Sequence, residues 1–142
     1  MADATSPRLK VAVVTPEGTA FEGPAESVVV PGHDGEVAFL RGHAPFVGAI
    51  GYGELRVTSQ GETRRWYLEG GVAQVLDDQI TILAEDVLPA AKVDAEEAKK
   101  ALDEALAAVP TTDETFAERD HAELSARAKL QIAAHEADPK SD

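Results

Sequence analysis

The stretch from Gly53 to Gly71, GELRVTSQGETRRWYLEGG, decides how this chain must be read. Glu54 to Thr58 alternates, with Leu55 and Val57 on one face and Glu54, Arg56 and Thr58 on the other. That period of two is the signature of a half-buried strand. Ser59-Gln60-Gly61-Glu62 carries turn chemistry, and Thr63 to Leu68 is a second strand-forming run, so the segment predicts a β-hairpin. Gly70-Gly71 reads as the break that ends the second strand. Gly71 is also the last glycine in the chain. Glycine supplies the positive φ angles that tight turns need, so its confinement to the first part divides the protein. Before Gly71 lie β-branched runs and turns. After it the chain is rich in alanine and charge, with Phe116 as its one Phe, Trp or Tyr residue.

Outward from the hairpin, Leu9 to Val14 predicts a strand with Leu9, Val11 and Val13 inward, closed by Pro16-Glu17-Gly18. Thr19 to Glu22 is short and extended, ended by Gly23-Pro24, and Ser27 to Val30 is stopped by Pro31-Gly32. Glu36 to Leu40 and Ala44 to Ile50 continue the series. Val72 to Leu76 and Gln79 to Ala84 form a last hairpin around Asp77-Asp78. The expected fold is an all-β N-terminal sandwich of about nine to ten short strands, the spacing typical of sandwiches and barrels.

Pro89 marks a linker, and Asp94 reads as a helix N-cap with Glu97 three residues on, a capping-box arrangement. Ala95, Ala98, Leu102, Ala105 and Val109 form one helical stripe, with Glu96 and Lys100 four apart on the wet side. Pro110 ends that helix, and Thr111-Thr112-Asp113 supplies the turn and a second cap. Ala122, Ala126, Leu130, Ala133 and Ala137 form a second stripe, with Glu123 and Arg127 paired four apart. The short connection implies a C-terminal antiparallel α-helical hairpin. The organisation read from sequence is a β-sandwich at 1–87, a linker at 88–93, a two-helix unit at 94–137 and a frayed tail at 138–142. A hairpin zipped by alanine buries little more than methyl groups, at ~0.8 kcal/mol per CH₂. It must lean on something else to persist, and it could let go at modest cost.

Composition narrows the function classes. The chain has 142 residues and no cysteine, which excludes disulfides and thiolate metal sites. No signal-peptide core or apolar run of membrane-spanning length occurs, so a soluble, cytoplasmic protein is expected. Net charge is −13: residues 1–90 carry 6 Lys/Arg against 13 Asp/Glu, and residues 91–142 carry 7 against 13. Neither part offers the basic footprint that nucleic acid or anionic lipid requires. No phosphate-binding GxxxxGK[ST] loop, GxSxG elbow or HExxH motif is present. His33, Asp34, Glu36 and His43 fall close together, so a small metal-dependent hydrolase using His33, Glu36 and His43 is one alternative. A stand-alone ligand-binding sandwich with a helical lid is another. Trp66 and Tyr67 read as sandwich core and rim, and His121 and His135 as solvated helix residues.

Two loops, Pro31-Gly32-His33-Asp34-Gly35-Glu36 and Gly42-His43-Ala44-Pro45, are stiffened by glycine and proline. Lying near each other, they would present Asp34, Glu36 and His43 at one defined edge, which suits docking onto another protein. At these loops the chain resembles the epsilon subunit of bacterial F-type ATP synthase, the counterpart of mitochondrial delta. The resemblance also rests on Val13 to Gly18, Val29 to Gly32, Gly53 to Arg56, Glu69 to Gly71 and Ile80 to Ala84, in order, followed by two helices.

The resemblance implies a non-catalytic central-stalk subunit of the rotary motor, without cofactor or metal. It would seat the gamma shaft on the ring of c subunits, so that ion flow drives ATP synthesis at the cytoplasmic face of the bacterial inner membrane. By resemblance, Gly32, Asp34, Gly35 and Glu36 face the ring, and His43, Ala44 and Pro45 face gamma. The C-terminal hairpin reaches the alpha/beta catalytic head and hinders ATP hydrolysis. Asp94 falls in the motif with which some members hold ATP, but Glu97 stands where that motif has arginine. Arg41 replaces a usual proline, and Arg119, Arg127 and Lys129 are the only Lys or Arg of the second helix.

Overall fold

Alternation of apolar and polar residues becomes eight strands in the computed structural model, which describes residues 8–32 and 34–137. They are β1 (Leu9–Thr15), β2 (Gly18–Ala25), β3 (Ser27–Gly32), β4 (Gly35–Leu40), β5 (Phe46–Ala49), β6 (Tyr52–Ser59), β7 (Glu62–Leu76) and β8 (Gln79–Pro89). Two helices follow, α1 (Ala95–Ala107) and α2 (Asp113–Ala137). The strands form one hydrogen-bonded array in the order β2-β1-β8-β7-β6-β3-β4, with β5 also on β7. β1 and β8 run parallel and the other neighbours antiparallel. Folded over on itself, the array makes a β-sandwich around Leu9, Val11, Val13, Val28, Phe39, Leu55, Val57, Trp66, Leu68, Ile80 and Ile82. Phe21 of β2 meets Trp66 of β7 with ring centroids 5.1 Å apart.

The strand count is eight rather than nine because Gly70-Gly71 does not end a strand. β7 runs through both glycines and keeps its register with β8, from Trp66 opposite Pro89 to Leu76 opposite Gln79. Gly70 and Gly71 take φ of 64° and 117°. A Cβ on Gly71 would lie 1.8 Å from the Leu83 carbonyl oxygen. Only glycine can bend the strand there. The bend has a clear purpose in the sheet: residues 62–69 pair with β6, and residues 72–75 pair with β5. The two hairpin turns form as the sequence predicts. Gln60 and Gly61 have φ of 53° and 81°, and Asp77 and Asp78 have 50° and 63°, the paired positive values of a tight two-residue turn.

β8 continues to Pro89, and Ala90–Lys92 forms one 3-10 turn with Ala90 buried. Asp94 caps α1 by accepting from the backbone N–H groups of Glu96 (2.9 Å) and Glu97 (3.2 Å). The helix stops at Ala107, since a residue before proline disfavours helical backbone. Val109, read as part of the first stripe, is therefore 84% exposed. Thr112 caps α2 by accepting from Thr115 N–H at 3.2 Å, while Thr115 Oγ1 accepts from the N–H groups of Thr111 and Thr112. Glu123 and Arg127 pair at 2.9 Å as expected, and on α1 Lys99 pairs with Asp103 at 3.7 Å. Arg119 Nε donates to the Ala105 carbonyl at 3.0 Å, which pins the two helices antiparallel.

Helix α2 carries two adjacent seams. One is the predicted stripe: Ala122 and Ala126 share a cleft with Ala98 and Ala101 of α1. The other is His121, Ser125, Ala128, Ile132 and His135, spaced four, three, four and three, the repeat of one helix face. Ala128 and Ile132 pack with Tyr67 and Ala90, against Tyr52, Leu88 and Val93. Tyr67 is thus no rim residue; it is fully buried beneath the helix. The tail at 138–142 lies outside the described residues.

Substituting Gly71 tests the bend. Gly71→Ala should destabilise the chain by on the order of 3 kcal/mol or more in urea unfolding, because strain and backbone collision combine. Gly61→Ala, with positive φ but open space around it, should cost about 1–2 kcal/mol. Equal losses at the two sites would exclude the collision.

Candidate functional site

Gly32 and Gly35 close the β3–β4 hairpin opposite each other, with Gly35 at φ 127°. Gly32 also bridges to Ile50, and Gly51 N–H donates to the Pro31 carbonyl at 2.8 Å. Asp34 is exposed in the turn. Glu36, the next residue on β4, does not project alone. Its carboxylate accepts two bonds from Arg56, Nη1 at 2.8 Å and Nη2 at 3.1 Å. Those bonds hold the Glu36 carboxyl below the usual carboxylate range and push the Arg56 guanidinium up. The rim therefore presents Glu36 as one half of a bidentate ion pair.

The second loop is anchored differently. Gly42, at φ 82°, donates its N–H to Asp78 Oδ1 at 2.7 Å, so the β7–β8 turn holds it. His43 lies edge-on to Phe39 at 5.1 Å and to Phe46 at 6.3 Å, and its Nδ1 sits 2.7 Å from the Ala44 carbonyl oxygen. Ala44 and Pro45 are exposed, as is Arg41. The two loops do not share an edge. Glu36 is the second residue of β4 and the Arg41-Gly42 turn follows the strand's end, a separation of ~17 Å at ~3.4 Å per residue. One metal ion cannot reach both Glu36 and His43, which removes the hydrolase alternative as framed. His33 lies outside the described residues, and no group of three metal-ligating side chains occurs among those described.

The outward face of β6 and β7 is outward only from the core, because α2 covers it. Glu54 is 9% exposed and receives Arg56 Nη1 at 3.0 Å, His135 Nδ1 at 3.1 Å and, more loosely, Arg65 Nε at 3.7 Å. Farther along, Tyr67 O–H donates to Glu69 Oε1 at 2.7 Å. Ser125 Oγ lies 2.8 Å from the same phenol oxygen. The phenol has one proton and the carboxylate can only accept, so the serine hydroxyl is the donor in that second contact. His121 Nε2 reaches Glu69 Oε2 at 2.7 Å and lies edge-on to Tyr52. Lys129 Nζ sits 5.0 Å above the Tyr67 ring. Neither His121 nor His135 is merely solvated, as the sequence suggested; each reaches back to a carboxylate of the sandwich. Burial pushes Tyr67 far above the normal phenol range. For Glu69, burial would raise the carboxyl, but the hydrogen bonds from Tyr67 and His121 outweigh it and the net shift is downward.

One apolar row crosses the opposite surface of the array. Ala49, Val72, Leu83 and Val14 are cross-strand neighbours on β5, β7, β8 and β1. Leu83 is 52% exposed, and Val47, one pleat away, 72%. The next row, Val47, Gln74 and Thr81, is mixed, so the apolar exposure is a narrow stripe.

With this geometry in hand, comparison with known proteins is decisive. The family model of the ATP synthase delta/epsilon chain β-sandwich domain matches residues 8–90. The ATP synthase epsilon chain of Rhodopirellula baltica is 38% identical over 88% of this chain and 98% of its own. ATP synthase epsilon chain 1 of Methylococcus capsulatus is 44% identical over 70% of this chain and 74% of its own. The chain belongs to the ATP synthase delta/epsilon family. A chain of the Euglena gracilis mitochondrial ATP synthase OSCP/F1/c-ring structure superposes with a TM-score of 0.82 over 92% of this chain and 83% of its own, at 22% identity, and so shares the fold.

In this family member the sandwich and its helices meet through Glu69, which yields a pH test. The folded carboxyl titrates below its ordinary value of 4.5, so its contribution is complete above that value and is lost as pH falls through the folded one. Hydrogen-exchange protection of α2 should therefore decline below about pH 4.5. Glu69→Gln should flatten that decline. An unchanged profile in the variant would show that Glu69 does not hold the helix.

Proposed function

We propose that this chain is a non-catalytic central-stalk subunit that couples the gamma shaft to the c-ring, so that ion flow drives ATP synthesis. One observation carries the reading: two unlike surfaces lie toward opposite ends of β4. The end at Gly32, Asp34, Gly35 and Glu36 is a charged, stiff rim suited to the polar loops of a ring. The other end, His43, Ala44 and Pro45, adjoins the apolar row of Ala49, Val72, Leu83 and Val14, suited to the side of a shaft. A clamp between two different partners needs two such faces, and charge complementarity at one of them fixes register. The sandwich at 1–87 is the clamp. The hairpin at 94–137, joined through 88–93, is a separable unit that reaches the alpha/beta head and slows ATP hydrolysis. The chain acts peripherally, on the cytoplasmic face of the bacterial inner membrane; none of the described helices is long and apolar enough to cross a membrane.

Two substitutions test the two faces. In reconstituted complex, Glu36→Lys should reduce ion pumping several-fold, while the isolated chain loses only about 1 kcal/mol, the cost of a partly exposed ion pair. Normal pumping would exclude the ring contact. Leu83→Asp should weaken association with gamma more than about tenfold, as expected for a charge placed at the centre of an apolar contact; unchanged affinity would exclude that face.

The hairpin binds ATP weakly if at all. Asp94 already spends its carboxylate on the α1 N-terminus, and Glu97 beside it would repel phosphate. Calorimetry with millimolar ATP should detect little heat, and tight binding would overturn this reading.

A further inference from the structure

We propose that engagement of Glu36 by a partner and docking of the C-terminal end of α2 oppose each other through one shared set of charges, with Arg56 as the positioning residue between them. The inference rests on the reading of Glu36 as the ring-facing carboxylate.

The chain of contacts is continuous. His135 on α2 bonds Glu54, Glu54 Oε1 also accepts Arg56 Nη1, and Arg56 holds Glu36 with both terminal nitrogens. Signs alternate along it when the histidine is protonated. Among the described residues the cluster is short of acceptors. Arg56, Arg65 and His135 converge on two carboxylates, and Arg65 stands 3.7 Å from Glu54 with its Nε and Nη2 buried and without a hydrogen-bond partner. Under such a shortage, loss of one acceptor cannot be absorbed silently.

Glu36 is the accessible end. Its side chain is 54% exposed, against 9% for Glu54. It opens onto a groove of about 430 Å³ that also meets Gly35, Glu54, Gln131 and His135. A basic or amide group arriving there takes carboxylate lone pairs from Arg56. The guanidinium then draws on Glu54, where it competes with His135 for Oε1. Of the three groups that reach these carboxylates, His135 is the one carried by α2, while Arg56 and Arg65 belong to the sandwich. Ring engagement therefore loosens the last turns of α2, and by linkage a docked α2 disfavours ring engagement to the same degree. Arg56 acts through Glu36 and Glu54 and need not touch the ring.

The isolated full-length chain suffices for the test, with Glu36→Gln mimicking the carboxylate's withdrawal. Amide exchange over residues 131–137 should quicken by about two- to fivefold, the range of a partly exposed ion pair. In an Arg56→Gln background the same change should have no effect, because the link is gone. Equal exchange in Glu36→Gln and native chain, or an undiminished effect without Arg56, would overturn the proposal. So would acceleration extending to β1 and β8, which would signify general loosening. No ring is present in this experiment, so its outcome is independent of the pumping assay: pumping may fail in Glu36→Lys while exchange shows no link, and the reverse.

Discussion

The close approach of Gly71 to the Leu83 carbonyl is the constraint on which the other features depend. It lets a single strand, β7, change partners from β6 to β5 without losing register with β8. Before the bend, the strand turns Arg65, Tyr67 and Glu69 toward α2. After it, Val72 belongs to the exposed apolar row. Without the bend the charged, helix-covered face and the apolar, open face could not be built on one strand, and the sandwich would lack its two unlike surfaces.

What α2 rests on is mostly polar. Ala128 and Ile132 bury modest area against Tyr67 and Ala90, so the apolar contribution is a few kcal/mol at ~25 cal/mol per Å². Around it lie Tyr67, Ser125, Glu69 and His121 at one end and Glu54, Arg56 and His135 at the other. Buried charge pairs contribute little net stability because desolvation offsets attraction. They do fix register, since a helix shifted by one residue would strand Glu54 and Glu69 without their histidines. A seat of this kind is specific and shallow, resting on a few apolar contacts ringed by polar ones.

Much of this was legible in the sequence and the remainder was not, for identifiable reasons. Alternation at Glu54 to Thr58, the turns at Gln60-Gly61 and Asp77-Asp78, and the Asp94 cap are local signals, and each appears as predicted. Two successive glycines cannot by themselves say whether a chain stops or bends; the unbroken ladder on both sides shows that Gly70-Gly71 bends it. The spacing of His121, Ser125, Ala128, Ile132 and His135 was visible, but its polar members hid a packing face that only Glu69 and Glu54 explain. The two stiff loops were assigned to one edge because their separation in sequence is short, while β4 carries them to opposite ends. Arg56 was placed on the correct face, yet its bond to Glu36 joins residues twenty apart and leaves no local trace.

Charge supplies the last step. Head and hairpin are each strongly acidic, at −7 and −6 for residues 1–90 and 91–142, so at long range they repel. Of the six Lys/Arg in the first part, Arg56 and Arg65 lie beneath α2, and α2 itself contributes Lys129, His121 and His135 to the same seam. The seam where the two acidic bodies meet thus holds basic side chains from both, Arg56 and Arg65 from the head and Lys129 from α2. Salt screens the long-range repulsion over ~10 Å at 0.1 M but reaches the covered pairs less. Moderate salt therefore weakens the repulsion between the two parts more than it weakens the covered contacts that hold α2 on the sandwich.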